Sequence, residues 1–179
     1  LEPRVAEVWG PEAERLYLGF RLPGANTEES LMLTMMDMVL SNNTAGLIDL
    51  NLNQKQKLMG GGSFPYVLKD YSVHGFYGAP IEGQLLEEVK DLLLAEIENV
   101  KNGNFPDWLI EAIISDLKLE QIKKYESNAG RADEFVDAFI LDISWEDHQS
   151  ELERILSITK QDIMDFAKTN YSDNYTVVY

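Results

Sequence analysis

Apolar residues alternate strictly with other residues between positions 16 and 22, which places the apolar side chains on one face, as in a half-buried strand. Pro23 and the glycine that follows it are expected to stop this strand. Asn26 or Thr27 is then predicted to cap a helix, because both side chains accept hydrogen bonds from free helical N–H groups. Residues 31–40 are apolar on nearly every side, so this helix is expected to lie buried between layers.

The middle of the chain predicts a short helix followed by a β-hairpin. Residues 44–52 have the pattern of the helix, and the triple glycine at 60–62 is expected to end any regular element. Residues 63–68 and 71–78 are rich in Tyr, Val and Phe, which favour strands, and the polar pair between them predicts the turn.

The second half of the chain changes to a helical period. Apolar residues recur at three- and four-residue steps from Ile81 until Asn102 closes the helix. A second long helix is predicted from Asn104, because Pro106 is tolerated in a first turn, where no backbone donor is needed. A third helical face is marked by four apolar residues, Phe135, Val136, Phe139 and Ile140.

Two capping signals predict the last helices. Ser144, followed three residues later by an acidic residue, resembles a capping box and leads into a short helix through Ile155. Thr159 repeats the signal and begins another helix. Residues 175–179 predict a terminal strand.

This order of elements does not alternate strand with helix, so a doubly wound parallel sheet fits it poorly. The sequence instead predicts an α+β fold in which an antiparallel-rich sheet carries helices packed on one face. With 45% hydrophobic residues, residues 1–179 are expected to form a single domain.

The charge of the chain excludes two classes of partner. It has 31 acidic and 15 basic residues, giving a formal net charge of −16 that is spread over most of its length. Such a surface repels nucleic-acid phosphates and anionic lipids, since polyanion binding needs cationic clusters. We therefore expect no nucleic-acid partner and no membrane insertion.

The compartment is left open by the sequence. The absence of cysteine excludes disulfides and thiolate chemistry but is compatible with cytoplasm or periplasm. The chain has no signal-like apolar segment and no apolar run of about 20 residues. It begins at Leu1 without a methionine, so it is expected to be a fragment of a larger multi-unit chain.

Any histidine-based mechanism in this chain needs His74 or His148. His74 lies in the second hairpin strand on the face of Ser72 and Phe76 and is given no catalytic role.

His148 begins a His-Gln-Ser-Glu-Leu stretch that matches the first four positions of the inverted zinc motif H-x-x-E-H. In that motif two histidines on one helical face bind the metal and the glutamate activates water. Leu152 stands where the second histidine must be, and one imidazole does not replace the chelate. The sequence therefore predicts no catalytic, cofactor-binding or metal-ligating residue.

The glycines at 60–62 lack the context of a phosphate loop, which needs a strand before it and Gly-Lys-Ser/Thr opening a helix. They form either a flexible connection before the hairpin or a place where the backbone approaches an extended peptide closely. Other unusual residues are interpreted as core: Met32, Met35, Met36, Met38, Trp9, Trp108 and Trp145.

Three stretches resemble the repeating unit of the pitrilysin/insulinase metallopeptidases, namely residues 16–24, the helix pair ending near Lys57, and residues 71–80. The order of elements in residues 85–179 is also similar to that of the family. The resemblance covers nearly the whole chain. It implies a metallopeptidase half-unit of the type found in pitrilysin and the mitochondrial processing peptidase.

The resemblance implies a multi-unit enzyme whose first unit binds zinc through H-x-x-E-H and a downstream glutamate, while other units enclose the peptide substrate. This chain lacks that histidine pair and so resembles a non-catalytic unit. Some family members also supply an Arg and a Tyr to the substrate from L-R-x-K-x-x-x-G-Y. Here Asn53 replaces that arginine, and a glycine-rich run replaces the tyrosine.

The function implied is a structural, substrate-enclosing domain of a zinc metallopeptidase, with peptide hydrolysis by the parent and not by this chain alone. Its expected partners are the zinc-bearing unit of the same parent chain and the parent's peptide substrate. Zinc is expected in that unit and no cofactor in this chain. The alternatives are a non-enzymatic assembly domain that shares the fold, and a peptide-binding module that takes a ligand strand onto its sheet edge.

Overall fold

The structure, a computed structural model, describes residues 2–25 and 27–179 and contains a mixed five-stranded sheet. Its strands are β1 (Arg4–Ala6), β2 (Leu16–Pro23), β3 (Gly60–Val67), β4 (Tyr71–Ala79) and β5 (Tyr175–Val178). They lie in the order β1-β5-β2-β4-β3. The pair β1 and β5 is parallel, and the other neighbours are antiparallel. The predicted α+β fold with an antiparallel-rich sheet is confirmed.

The helices form layers on one face of this sheet. They are α1 (Glu28–Leu40), α2 (Leu86–Lys101), α3 (Trp108–Glu126), α4 (Asn128–Leu141), α5 (Trp145–Leu156) and α6 (Lys160–Asn170). Helices α1 and α2 contact the strands, and α6 packs on both of them. Helices α3 and α5 contact α1, and the main neighbours of α4 are α3 and α5. Helix α4 therefore lies at the outside of the helical layers.

The core lies between the sheet and helices α1 and α2. Leu16, Leu18, Phe20 and Leu22 are all buried, as the alternation of β2 predicts. Met35 and Met36 of α1 are fully buried, because this helix is covered by strands on one side and helices on the other. The core interpretation fails for Trp9 and Trp108, which are 89% and 53% exposed.

The helix predicted over residues 44–52 begins later than expected. The side-chain oxygen of Asn42 accepts hydrogen bonds from the backbone N–H groups of Thr44, Ala45 and Gly46, which holds these residues in a turn. Helical backbone starts after this turn and continues as a short π-helix, Asp49–Asn53.

The triple glycine does not end a regular element, contrary to the prediction, because it lies inside β3. The amide of Asn53 explains why. Its nitrogen donates to the Gly61 carbonyl at 2.8 Å and its oxygen accepts from the Gly61 N–H at 2.9 Å, as a neighbouring strand would. The three glycines thus extend the hairpin strand by pairing with β4, and Gly61 also bonds to the Asn53 side chain, neither of which local propensity reveals.

Strand β1 was not predicted, since it has only three residues and all are exposed. It is held by pairing with β5 and by backbone bonds at the chain's other end. The Tyr179 N–H donates to the Ala6 carbonyl at 2.9 Å, and the Val8 N–H donates to the Tyr179 carbonyl at 2.8 Å.

The helix caps agree in part with prediction. Asn26 lies outside the described residues, and Thr27 occupies the cap position of α1 without a side-chain cap bond. The caps of α5 and α6 are confirmed, because Ser144 and Thr159 accept backbone N–H bonds three residues on. Helices α2 and α3 begin at Leu86 and Trp108, after short turns, rather than at the predicted first residues.

Candidate functional site

Aromatic side chains cover the sheet face opposite α1 and α2. Strand alternation that buries Leu16 and Phe76 on the helical side turns their neighbours outward. The outward rings are each between 39% and 60% exposed. This outer sheet face is defined by Tyr17, Phe64, Tyr66, Tyr71 and Tyr77.

Glycines let two of these rings lie close against the sheet. Gly75 pairs with Phe64 on one side and with Gly19 on the other. A Cβ atom on Gly75 would stand 2.3 Å from the Phe64 Cζ, so the ring occupies the space a side chain would take. In the same way, a Cβ on Gly62 would meet the Tyr77 hydroxyl at 2.9 Å. The result is a flat aromatic surface.

A surface cavity adjoins this face between the N-terminal segment and the start of α2. Its lining includes Trp9, Arg15, Tyr17 and Leu85. Trp9 contributes a nearly fully exposed indole beside Tyr17. Clustered exposed aromatic residues of this kind are typical of surfaces that bind another protein, because each ring removes a large apolar area from water.

A second candidate is a buried polar network around His74, which lies on the inner sheet face beside Ser72 and Phe76 as predicted. Its Nδ1 lies 2.6 Å from the Tyr171 hydroxyl, and its Nε2 lies 3.1 Å from Oδ1 of Asp37. In the neutral tautomer with a proton on Nε2, the Tyr171 hydroxyl donates to Nδ1 and Nε2 donates to Asp37. Ser63 also donates to Asp37, at 2.7 Å.

Burial dominates the electrostatics of this network. Loss of hydration lowers the pKa of His74, although the hydrogen bond to Asp37 opposes the shift. Burial also raises the pKa of the Tyr171 hydroxyl well above its usual value, and the nearby Asp37 carboxylate adds to that effect. Both groups are therefore held neutral near pH 7.

The network has no reacting group within reach of a substrate. The Ser63 hydroxyl donates to Asp37 and not to His74, so no nucleophile is paired with a base. His74 and Tyr171 are closed to solvent. The arrangement ties α1, β3, β4 and the turn after α6 together. Sequence reasoning missed Asp37 and Tyr171, although an acid inside the apolar stretch of α1 is a signal of a buried partner.

His148 also contacts a partner that the sequence did not indicate. Its Nε2 lies 2.9 Å from Oε2 of Glu134 on α4, while Nδ1 lies 3.6 Å from Oε2 of Glu151. Lys124 of α3 forms an ion pair with the same Glu134. Burial alone would raise the pKa of Glu134, but the hydrogen bonds from Lys124 and His148 hold it below its usual value. The H-x-x-E half-motif thus joins three helices.

Within residues 2–25 and 27–179, no group of three or more His, Asp or Glu side chains is arranged to hold a metal ion. The Asn53 side chain is bonded to both backbone groups of Gly61. Over the same ranges no helix has both the length and the apolar character needed to cross a bilayer.

Several solved structures share this fold. A protease from Helicobacter pylori superposes with a TM-score of 0.89 at 20% identity, covering 98% of this chain and 43% of that one. The inactive peptidase domain of a candidate zinc protease from Bordetella parapertussis gives 0.79 at 16% identity, covering 91% and 89%. A peptidase M16 inactive domain from Pseudomonas fluorescens gives 0.79 at 9% identity, covering 99% and 42%.

The chain therefore spans less than half of the Helicobacter pylori and Pseudomonas fluorescens chains that it resembles. At these identities the likeness concerns the fold alone. No curated protein sequence matches it significantly. The family described as Peptidase M16 inactive domain matches residues 3–117, which is more than half of the chain. The chain is a non-catalytic domain that belongs to the peptidase M16 inactive-domain family.

Proposed function

We propose that this domain encloses substrate within a larger zinc metallopeptidase and packs through its outer sheet face against the zinc-bearing unit of the same parent chain. Zinc and the groups that activate water belong to that unit. The observation that carries the proposal is the exposed aromatic surface formed by Tyr17, Phe64, Tyr66, Tyr71 and Tyr77.

Covering this surface would stabilise a contact between domains. Fully buried aromatic side chains each remove about 150–250 Å² from water, so covering five half-exposed rings removes on the order of 400 Å². At about 25 cal/mol per Å², this is on the order of 10 kcal/mol before the entropic costs of association. A surface of this kind is best protected by a second domain that stays in place.

The parent protein provides the test. Tyr66→Ser removes the most exposed ring of the outer sheet face, and Phe139→Ser removes an exposed ring from the opposite side of the domain as a matched control. We expect Tyr66→Ser to reduce hydrolysis of a quenched fluorescent peptide at least threefold and to expose the junction between units to limited proteolysis. Phe139→Ser should leave both unchanged.

Two results would overturn the proposal. One is equal activity and equal protease resistance of the parent protein with and without Tyr66→Ser. The other is chelator-sensitive peptide cleavage, or stoichiometric zinc, in the isolated 179-residue chain.

Strand addition at the free edge of β3 is a weaker proposal for substrate binding. Both backbone groups of Gly61 bond to Asn53 and so face away from β4. Because backbone direction alternates along a strand, the backbone N and C=O groups of Ser63, Pro65 and Val67 also face the open edge. Among these, Pro65 has no N–H to donate, and Gly61 is already satisfied. An incoming strand would therefore find an interrupted ladder, as in edge strands that resist pairing.

A further inference from the structure

Helix α4 turns its apolar face away from the domain. The four residues that mark this face in the sequence are exposed in the structure, Phe139 at 85% and the others at 52% to 63%. These residues, Phe135, Val136, Phe139 and Ile140, are called the α4 patch below. Together they expose on the order of 500 Å², the upper end of what a monomeric protein leaves uncovered.

The orientation of α4 is fixed by polar contacts on its other side. Glu134 and Ala138 are its buried residues, and at 100° per residue they lie opposite the α4 patch. Glu134 receives Lys124 from α3 and His148 from α5. Rotating the apolar face inward would leave the Glu134 carboxylate without these partners. The exposure of the patch is therefore a property of the fold.

The α4 patch extends onto the next helix through a stacked pair of rings. The rings of Phe135 and Trp145 lie 4.1 Å apart between centroids, with 22° between their planes. This contact fixes the ring of Phe135 and enlarges the apolar surface.

The α4 patch and the outer sheet face lie on opposite sides of the sheet. Helix α4 packs against α3 and α5 on the side that carries the helices, and its C-terminal cap residue, Asp142, pairs with Lys69 in the turn between β3 and β4 at 2.7 Å. The rings of the outer sheet face point away from the helices. The α4 patch is therefore a surface separate from the outer sheet face.

The charged residues around the α4 patch indicate which kind of partner it can bind. Residues 128–147 contain six acidic residues and one basic residue, Arg131. Lys124 and Lys69 pair with acids of this segment, which leaves six acids against three bases. A second copy of this chain, with its own net charge of −16, or an anionic membrane would be repelled.

We propose that the α4 patch is a docking site for a partner protein that presents an apolar helix face edged with lysine or arginine. The apolar contact supplies the buried area, and the acidic surroundings select a basic rim. This inference goes beyond the enclosing role proposed above and does not rest on it.

The test uses the 179-residue chain and three synthetic peptides of equal length. The first has leucines on one helical face and lysines on the other, the second replaces lysine by glutamate, and the third scrambles the first so that it has no face. Binding is measured by titration calorimetry at two salt concentrations. We expect micromolar binding of the leucine–lysine peptide, at least tenfold weaker binding of the other two, and weakening by salt.

Matched variants locate the binding. Phe139→Ser should weaken binding of the leucine–lysine peptide at least tenfold. Tyr66→Ser, on the outer sheet face, should leave the affinity for this peptide unchanged. Equal affinity of the wild type and Phe139→Ser would overturn the proposal, because binding would then be non-specific attraction to an acidic protein. So would a dimer in light scattering, or binding to anionic vesicles, that Phe139→Ser abolishes, since the patch would then serve a second copy or a membrane.

Discussion

His74 makes the stability of the fold depend on pH. Burial lowers its folded-state pKa below the value of about 6.5 expected in the unfolded chain. The unfolded chain therefore takes up a proton first as the pH falls. Full stability is present above pH 6.5 and is lost as the pH drops from there towards the lowered pKa.

We predict that the free energy of unfolding falls with a slope of up to about 1.4 kcal/mol per pH unit below pH 6.5 from this one group. Urea unfolding between pH 8 and pH 5 measures it. His74→Gln should lower stability at pH 8 and flatten the slope. Tyr171→Phe, which keeps the imidazole buried, should lower stability but keep the slope. An unchanged slope in His74→Gln would contradict the assignment.

Gly75 and Gly19 pair across β2 and β4 but differ in the space beside them. A Cβ on Gly75 would stand 2.3 Å from the Phe64 ring, whereas a Cβ on Gly19 would lie 3.6 Å from the nearest Val73 atom. We predict that Gly75→Ala destabilises the domain by about 1–2 kcal/mol, because the ring must leave its seat. Gly19→Ala should be neutral or stabilising by up to about 1 kcal/mol. Equal effects in thermal unfolding would show that the ring does not depend on the glycine.

At the scale of elements, α6 begins with a complete capping box. The Asp162 carboxylate accepts the Thr159 N–H at 2.8 Å, and the Thr159 hydroxyl accepts the Asp162 N–H at 3.3 Å. We predict that Thr159→Ala costs about 1 kcal/mol of unfolding free energy, since the Asp162 N–H loses its acceptor and the Asp162 carboxylate loses the hydroxyl donor. Thr27→Ala is the control, because Thr27 stands at the start of α1 without a cap bond. A larger loss in Thr27→Ala would contradict this account.

The same elements show what sequence patterns reveal. Strand β2, helix α2 and the caps at Ser144 and Thr159 follow from local alternation, period and hydrogen-bonding chemistry. Strand β1 does not, because its partner Tyr179 lies at the other end of the sequence. The glycine part of β3 does not either, because Asn53 bonds to it through a side chain.

The candidate surfaces were harder to predict than the elements. Periodicity identifies the apolar face of a helix but does not show whether that face points into the core or towards solvent. The apolar face of α4 points outward because Glu134, on its other side, contacts Lys124 and His148. The outer sheet face likewise follows from which side of β4 receives the helices. The lack of a second histidine near His148 is seen in the sequence itself, because Leu152 occupies that position.

At the scale of the whole molecule, two apolar surfaces lie on opposite sides of one core. Neither belongs to that core, because their side chains are between 39% and 85% exposed. The fold is stabilised instead by the residues between the sheet and α1, where Phe20 and Met35 are closed to solvent. Substitutions on these two surfaces should therefore change partner binding without changing the stability of the fold.

We predict that Tyr66→Ser and Phe139→Ser each change the unfolding free energy of the 179-residue chain by less than about 0.5 kcal/mol. Since the two side chains lie on opposite sides of the sheet, the double variant should show the sum of the two within about 0.5 kcal/mol. Urea unfolding with a fixed slope measures all three. A loss above about 1 kcal/mol in either single variant would mean that its ring supports the fold, and that surface would lose its main claim to bind a partner.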